Sequence, residues 1–314
     1  MSGQIRRFVL LGGAMLLLLA GVQAEDPKTA GIAGVVAAGT PIELVQEGFT
    51  FTEGTVGTPD GGLFFTDTQA KPTRMFRLDP RGAVHPLHQT QGMNGLAINA
   101  AGDLFGAEMY GKRIVRLDRD GQVTATITAG TPEHALVQPN DLIVDSRGGI
   151  YFTDPGTFDP KSTAPTYVFY FSREKTLQVV TDQIALPNGL TITPNGRTLV
   201  VDDTGSDTIT AFDIRPNGTT SHQRVFAHLT GIPAGQNSGA DGMAIDSDSR
   251  VYVTSRTGVQ VFASSGAYLG TIVLPRVPAN LAFSGPGKRF LYAAARQGLY
   301  RIRTLSKGVA RPGK

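Results

Sequence analysis

Six residues stand at one position of a pattern that recurs along the chain: Glu53, Asn94, Asn140, Asn188, Asp241 and Ala279. Five of them carry oxygen donors. Taken singly, Asn or Asp ahead of a strand is an ordinary turn former. Glu53 does not fit that reading, because Glu is a poor turn residue. Taken together, a converging ring of carboxylates and amides is costly to bury unless something positive sits among them. The donor set is two carboxylates and up to three amide carbonyls, with no His or Cys in the register. Hard oxygen ligands of this kind favour Ca²⁺, then Mg²⁺ or Mn²⁺, over Zn²⁺. Two negative charges would balance one dication, and such an ion acts as a Lewis acid on a carbonyl or phosphoryl oxygen.

Each of these residues opens a hairpin whose second strand returns to the same level. Counting out from the turns sets Glu53 against Asp67, Asn94 against Glu108, Asn140 against Asp154, Asn188 against Asp202 and Asp241 against Ser255, to within about one residue. Asp67, Asp154 and Asp202 either orient the ring as a second layer of contacts or cap the loops beside them. Asn94, Asn140 and Glu108 are the candidates to touch a substrate. Arg256 either meets a substrate anion or stands as a solvated charge at the rim. Other chemistries have little footing. His85 and His88 fall in an outer strand or loop, and no G-x-S-x-G elbow or glycine-rich phosphate loop is present. Asn217-Gly218-Thr219 matches a glycosylation sequon, a weak and context-dependent signal.

The elements that must position the ring repeat with it. Each copy runs from a polar residue into an apolar strand, a tight Gly- or Asp-containing turn and a second apolar strand. EGTVGTPDGGLFFTDT from Glu53 and NDLIVDSRGGIYFTDP from Asn140 are examples. A third strand follows each hairpin, as in MFRLDP at Met75, and a fourth follows in the first five copies, as in VTATI at Val123. Four strands in each of six copies, at a period of about forty to fifty residues, predict a six-bladed β-propeller in an all-β chain. The sixth copy runs out of chain before a fourth strand. IELV, Ile42 to Val45, is strand-like and otherwise unassigned, so it is expected to complete that blade and close the ring. The first strand of each blade lines the central channel, which sets the six residues at one mouth.

The first residues bear on compartment. Arg6 and Arg7 precede an apolar run from Phe8 to Gly21, and Val22-Gln23-Ala24 forms a small-x-small site before Glu25. This order predicts a cleaved signal peptide over residues 1–24, a periplasmic or secreted product and a single propeller domain over residues 25–314. The run is short for a membrane span, so no span is expected in the mature form. The chain has no Cys, which excludes disulfides and thiolate chemistry, while Gly 39 and Pro 19 agree with frequent turns. The net charge of +3 includes Arg6 and Arg7. No basic stripe with interleaved aromatics appears, so nucleic acid is not an expected partner, and no specific protein partner is indicated.

FTEG at Phe51, PNDL at Pro139, YFTDP at Tyr151, LPNGL at Leu186 and ADGMAID at Ala240 resemble the SMP-30/gluconolactonase/luciferin-regenerating-enzyme family in content, order and spacing. The resemblance runs from about Glu43 to Thr304. It implies a six-bladed propeller with one divalent cation at the channel mouth. Glu53, Asn188 and Asp241 would be its core ligands, Asn140 a fourth ligand or a contact to substrate and water, and Asp241 the acid/base group. Two positions depart from the pattern. Gln138 stands where sugar lactonases often have Arg, and Thr55 stands where Pro often follows Glu-Gly. Both bear on whether the substrate is a polyhydroxylated aldonolactone. The expected activity is metal-dependent opening of a small lactone or ester by water. A metal-dependent aryl-ester or organophosphate hydrolase on the same scaffold is one alternative, and a non-catalytic ligand-binding propeller is another.

Overall fold

The computed structural model describes residues 27–159 and 161–310. The signal-peptide segment, residues 1–24, lies outside them. The described chain forms six four-stranded antiparallel sheets and one short 3₁₀ turn, Pro286–Lys288. The first blade comprises Thr52–Gly57, Leu63–Asp67, Arg74–Leu78 and Val84–Gln89. The next four follow in chain order, opening at Met93–Ile98, Leu142–Val144, Pro187–Ile192 and Met243–Ile245. The sixth holds Asn280–Ser284, Phe290–Ala295 and Gly298–Arg303, and its outermost strand is Ile42–Glu47 from the other end of the chain. That strand pairs antiparallel, Ile42 opposite Ile302 and Leu44 opposite Tyr300. An edge that would template association is thereby covered.

Burial follows position in the blade. Every residue of the six innermost strands is buried. Outer strands such as Val84–Gln89 and Val123–Thr128 are largely exposed. Innermost strands touch their neighbours around a closed circle, and Thr52–Gly57 meets Asn280–Ser284 across the seam. Apolar side chains fill the wedges between blades. Phe152 and Phe169 of the third blade, for example, pack with Ala97 and Ile114 of the second. Ile32, Val35 and Val36 of the segment before the closing strand join Tyr252, Phe283 and Leu291 in one cluster. The chain's last described residues return to the same region, where Leu305 donates its N–H to the Val35 carbonyl at 2.8 Å and Gly308 bridges Asp246.

The hairpins differ from simple counting in three blades. Thr52, not Glu53, opposes Asp67; Met93 opposes Glu108; Pro187 opposes Asp203. Each of these ladders slips between the mouth residue and the strand beyond it, at Glu53/Val56, Met93/Leu96 and Pro187/Leu190. A bulge adds a residue to one strand and re-aims its side chain. Glu53, Asn94 and Asn188 sit at these bulges.

Candidate metal centre at the channel mouth

A cavity of about 440 Å³ opens at this end of the channel, and Glu53, Asn94, Asn140, Asn188 and Asp241 all line it. The five oxygen-bearing residues singled out by the repeat therefore converge. The sixth position differs from the count. Asn280, not Ala279, turns its side chain toward the ring: Asn280 Nδ2 donates to Glu53 Oε2 at 3.0 Å. Thr55 Oγ1 donates to Asn280 Oδ1 at 3.0 Å. Thr55 thus supplies a hydroxyl that fixes Asn280, which in turn holds Glu53. The Asn in PAN was the available signal, one residue past the register.

The blades are tied to one another at this level. Thr66 Oγ1 reaches the Asn94 carbonyl at 3.1 Å, and Thr153 Oγ1 reaches the Asn188 carbonyl at 2.7 Å. Thr254 Oγ1 reaches the Ala279 carbonyl at 3.1 Å. Thr204 Oγ1 donates to the Ala240 carbonyl at 2.6 Å and accepts from Asn188 Nδ2 at 3.0 Å. That second bond sets the Asn188 amide, whose buried Oδ1 has no hydrogen-bond partner. Asn94 Nδ2 donates to Asn140 Oδ1 at 2.7 Å, leaving the Asn140 NH₂ as its donor end.

The carboxylates on the returning strands divide into two jobs. Asp67 accepts from Thr50 N at 2.9 Å and Phe51 N at 2.8 Å. Asp154 does the same for Val137 N and Gln138 N, at 2.7 and 2.9 Å. Asp203 takes Leu186 N at 2.9 Å. These acids fix the loops that deliver Glu53, Asn140 and Asn188. Glu108, a candidate substrate contact by its sequence position, is held in the same way. Its carboxylate accepts from Gln91 N at 3.3 Å and pairs with Arg113 at 2.6 Å, and it does not line the mouth cavity. The second-blade bulge puts Glu108 opposite Met93, which turns it away from the ring.

Asp202 takes the other job. It is fully buried; Oδ1 accepts from Gly189 N at 2.9 Å, while Oδ2 has no hydrogen-bond partner. Burial pushes its carboxyl well above the usual range, and Asp203 and Glu53 add to this. Asp241 is pushed up in the same way, by burial and then by Glu53 and Asp202, with Arg296 opposing. Three acids repelling one another beside an unpartnered amide oxygen is an arrangement that a dication would relieve. Among the described residues no three His, Cys, Asp or Glu side chains are spaced to hold a metal by themselves. A cation here would therefore draw on amide oxygen as well as carboxylate.

Fold and site together define a six-bladed propeller with an oxygen-lined, cation-suited mouth. The chain belongs to the SMP-30/Gluconolactonase/LRE-like family, whose profile matches residues 18–135 and 51–296. It is 26% identical over 301 residues to a gluconolactonase of Zymomonas mobilis, covering 86% of this chain and 83% of the relative. Among solved structures, a gluconolactonase from Xanthomonas campestris superposes with a TM-score of 0.76 at 28% identity, over 90% of this chain and 99% of that one. A calcium-binding protein, regucalcin, from Agrobacterium tumefaciens shares the fold with a TM-score of 0.73 at 17% identity, over 87% of this chain and 97% of that one.

Proposed function

We propose that the protein is a lactone hydrolase that works with one divalent cation, Ca²⁺ in first place, at the channel mouth. The observation that carries this is the meeting of Glu53, Asn188 and Asp241 in one cavity, with Asn188 Oδ1 left without a partner. Family membership and the likeness to two gluconolactonases support the reaction class. Glu53, Asn188 and Asp241 would hold the ion, with Asn140 at its side. A bound ion would polarise the lactone carbonyl. Asp241 would take the proton from the attacking water as the ring opens. The Asn140 NH₂ would donate to the oxygen that gains charge, and Asn94 would keep that amide from turning. Phe51, Met109, Phe158 and Val277 give the cavity apolar walls for the body of the substrate.

Chelator-stripped protein is expected to lose lactonase activity on a panel of lactones and to regain it with added Ca²⁺. Turnover that survives complete stripping would overturn the metal role, and no ring opening on any lactone with metal present would overturn the reaction class. Thr204→Val gives a finer check. It removes the hydroxyl that accepts from Asn188 Nδ2, so the amide is free to turn. Ca²⁺ affinity by calorimetry should fall about 10-fold or more, as when supports behind metal ligands are lost. Unchanged affinity would take Asn188 out of the ligand set.

We also propose export, on Arg6, Arg7, the Phe8–Gly21 run and the small-x-small site before Glu25. N-terminal sequencing of the native protein should read from Glu25 in a fraction outside the cytoplasm. Folded protein that still starts at Met1 would overturn it.

A further inference from the structure

Two hairpins on adjacent blades end alike. In the fifth blade Ser255 pairs with Gly258 across Arg256-Thr257. In the sixth, Ala295 pairs with Gly298 across Arg296-Gln297. Both tight turns place an arginine at their first central position, and both arginines line the mouth cavity with Asp241. Their side chains are held by groups other than an ion-paired carboxylate, although the Arg296 charge is felt at Asp241. Arg256 donates to the Asn237 carbonyl at 3.2 Å and to the Asn237 side-chain oxygen. Arg296 lies over the Phe51 ring, 4.4 Å from its centroid. Ion pairs fix Arg77, Arg113, Arg116, Arg147, Arg224, Arg250, Arg276 and Arg301 elsewhere, but none is found for Arg256 or Arg296 among the described residues.

Arg296 is also held in an unusual backbone state. Its φ is +55°, where side chains other than Gly are uncommon. Its carbonyl accepts both the Thr52 N–H at 2.7 Å and Thr52 Oγ1 at 3.0 Å. Thr52 adjoins Glu53, so the turn that carries the guanidinium is locked to the strand that carries a proposed ligand. On the opposite side of the mouth Gln138 gives its backbone N–H to Asp154 and does not line the cavity.

We infer that Arg296 and Arg256 form an anion subsite beside the reacting centre, and that the substrate is a lactone whose ring bears a carboxylate. A planar guanidinium with parallel donors matches a carboxylate in geometry and charge. The apolar wall at Phe51 and Phe158 suits a ring with few hydroxyls. The lactone carbonyl would lie toward Glu53, Asn188 and Asp241, and the carboxylate toward blades five and six. This rests on the lactonase reading for the reaction but not for the binding, so two arms separate them.

The kinetic arm compares a five-membered lactone carrying a ring carboxylate with the matching carboxamide, by proton release at constant pH on the Ca²⁺-loaded protein. The acid should be preferred, and Arg296→Gln should lower the acid-to-carboxamide ratio of kcat/KM by about tenfold or more, chiefly through KM. Arg256→Gln, at an exposed position, should lower the same ratio by a smaller factor. The binding arm measures cyclopentanecarboxylate and cyclopentanecarboxamide by calorimetry. The carboxylate should bind wild type more tightly than it binds Arg296→Gln, and the carboxamide should not discriminate. A wild-type ratio near one, or a ratio untouched by both variants, overturns the subsite. If neither lactone is opened while the carboxylate still binds through Arg296, the reaction class fails and the anion subsite stands. If neither lactone is opened and the carboxylate binds both proteins alike, both fail.

Discussion

Asp241→Asn is expected to lower kcat/KM by about 10²-fold or more and to stay low at saturating Ca²⁺. The substitution keeps the shape and one ligand oxygen, and it removes the charge and the proton acceptor. Asp241 sits with Glu53 and Asp202 as its nearest acids, and burial and these two neighbours push its carboxyl upward. A cation holds the same group ionised, which suits a base but weakens it. A ligand-only role and a base role therefore separate under excess metal. If Asp241 is a ligand alone, excess Ca²⁺ should restore most of the activity of Asp241→Asn. Asn188→Ala is the control: it loses a ligand oxygen but no acceptor, so excess ion should rescue it in part. In the metal-free protein, Asp241→Asn should not lower the melting temperature, because it takes one member out of a group of mutually repelling acids. Unchanged Ca²⁺ affinity in both variants would discard the site.

The propeller is legible in the sequence because its information is local. Each hairpin is written in one stretch of apolar alternation around a turn, and the copies share one register. The closing position of Ile42–Glu47 is legible by elimination, since one blade lacks an outer strand and one strand lacks a blade. The mouth residues are legible as a set for the same reason. What fails is parity. A bulge shifts one strand by one residue, and in a structure of period two that exchanges which side chains face inward. Asp203, one position from the counted Asp202, fixes the loop before Asn188, and Asp202 is left buried beside the acids. Glu108 goes to Arg113. Glycine follows the mouth residue in the bulged blades, as Gly54, Gly95 and Gly189, but Gly242 does so too in a blade whose ladder begins only at Met243. The glycine therefore does not announce the bulge. Arg296 was out of reach for another reason. It comes from a hairpin tip at the far end of the chain from Phe51, and only ring closure brings the two together.

Gly189→Ala is expected to damage stability and activity together. Gly189 follows Asn188 on the innermost strand of the fourth blade, where the fifth blade's backbone comes closest. A Cβ added there would lie 2.1 Å from the Asp241 carbonyl oxygen and 2.7 Å from Asp202 Oδ2. Neither neighbour yields easily. The first is backbone, and the second belongs to a fully buried side chain bonded to Gly189 N. Relief requires the two blades to part at the mouth, which moves Asp241 against Asn188. Forcing a methyl into a packed interior costs about 1–3 kcal/mol, which corresponds to a fall of several degrees, roughly 2–4 °C per kcal/mol, in melting temperature. Ca²⁺ affinity should drop in the folded fraction, because two proposed ligands are carried by the blades that separate. Gly196→Ala is the comparison. Gly196 lies in a turn at φ +72° with open space around its Cβ, so its replacement strains the backbone without touching the mouth. It should lower the melting temperature and leave Ca²⁺ affinity as in wild type. Equal loss of Ca²⁺ affinity in the two variants would mean that general destabilisation, and not the contact between Gly189 and Asp241, governs the site.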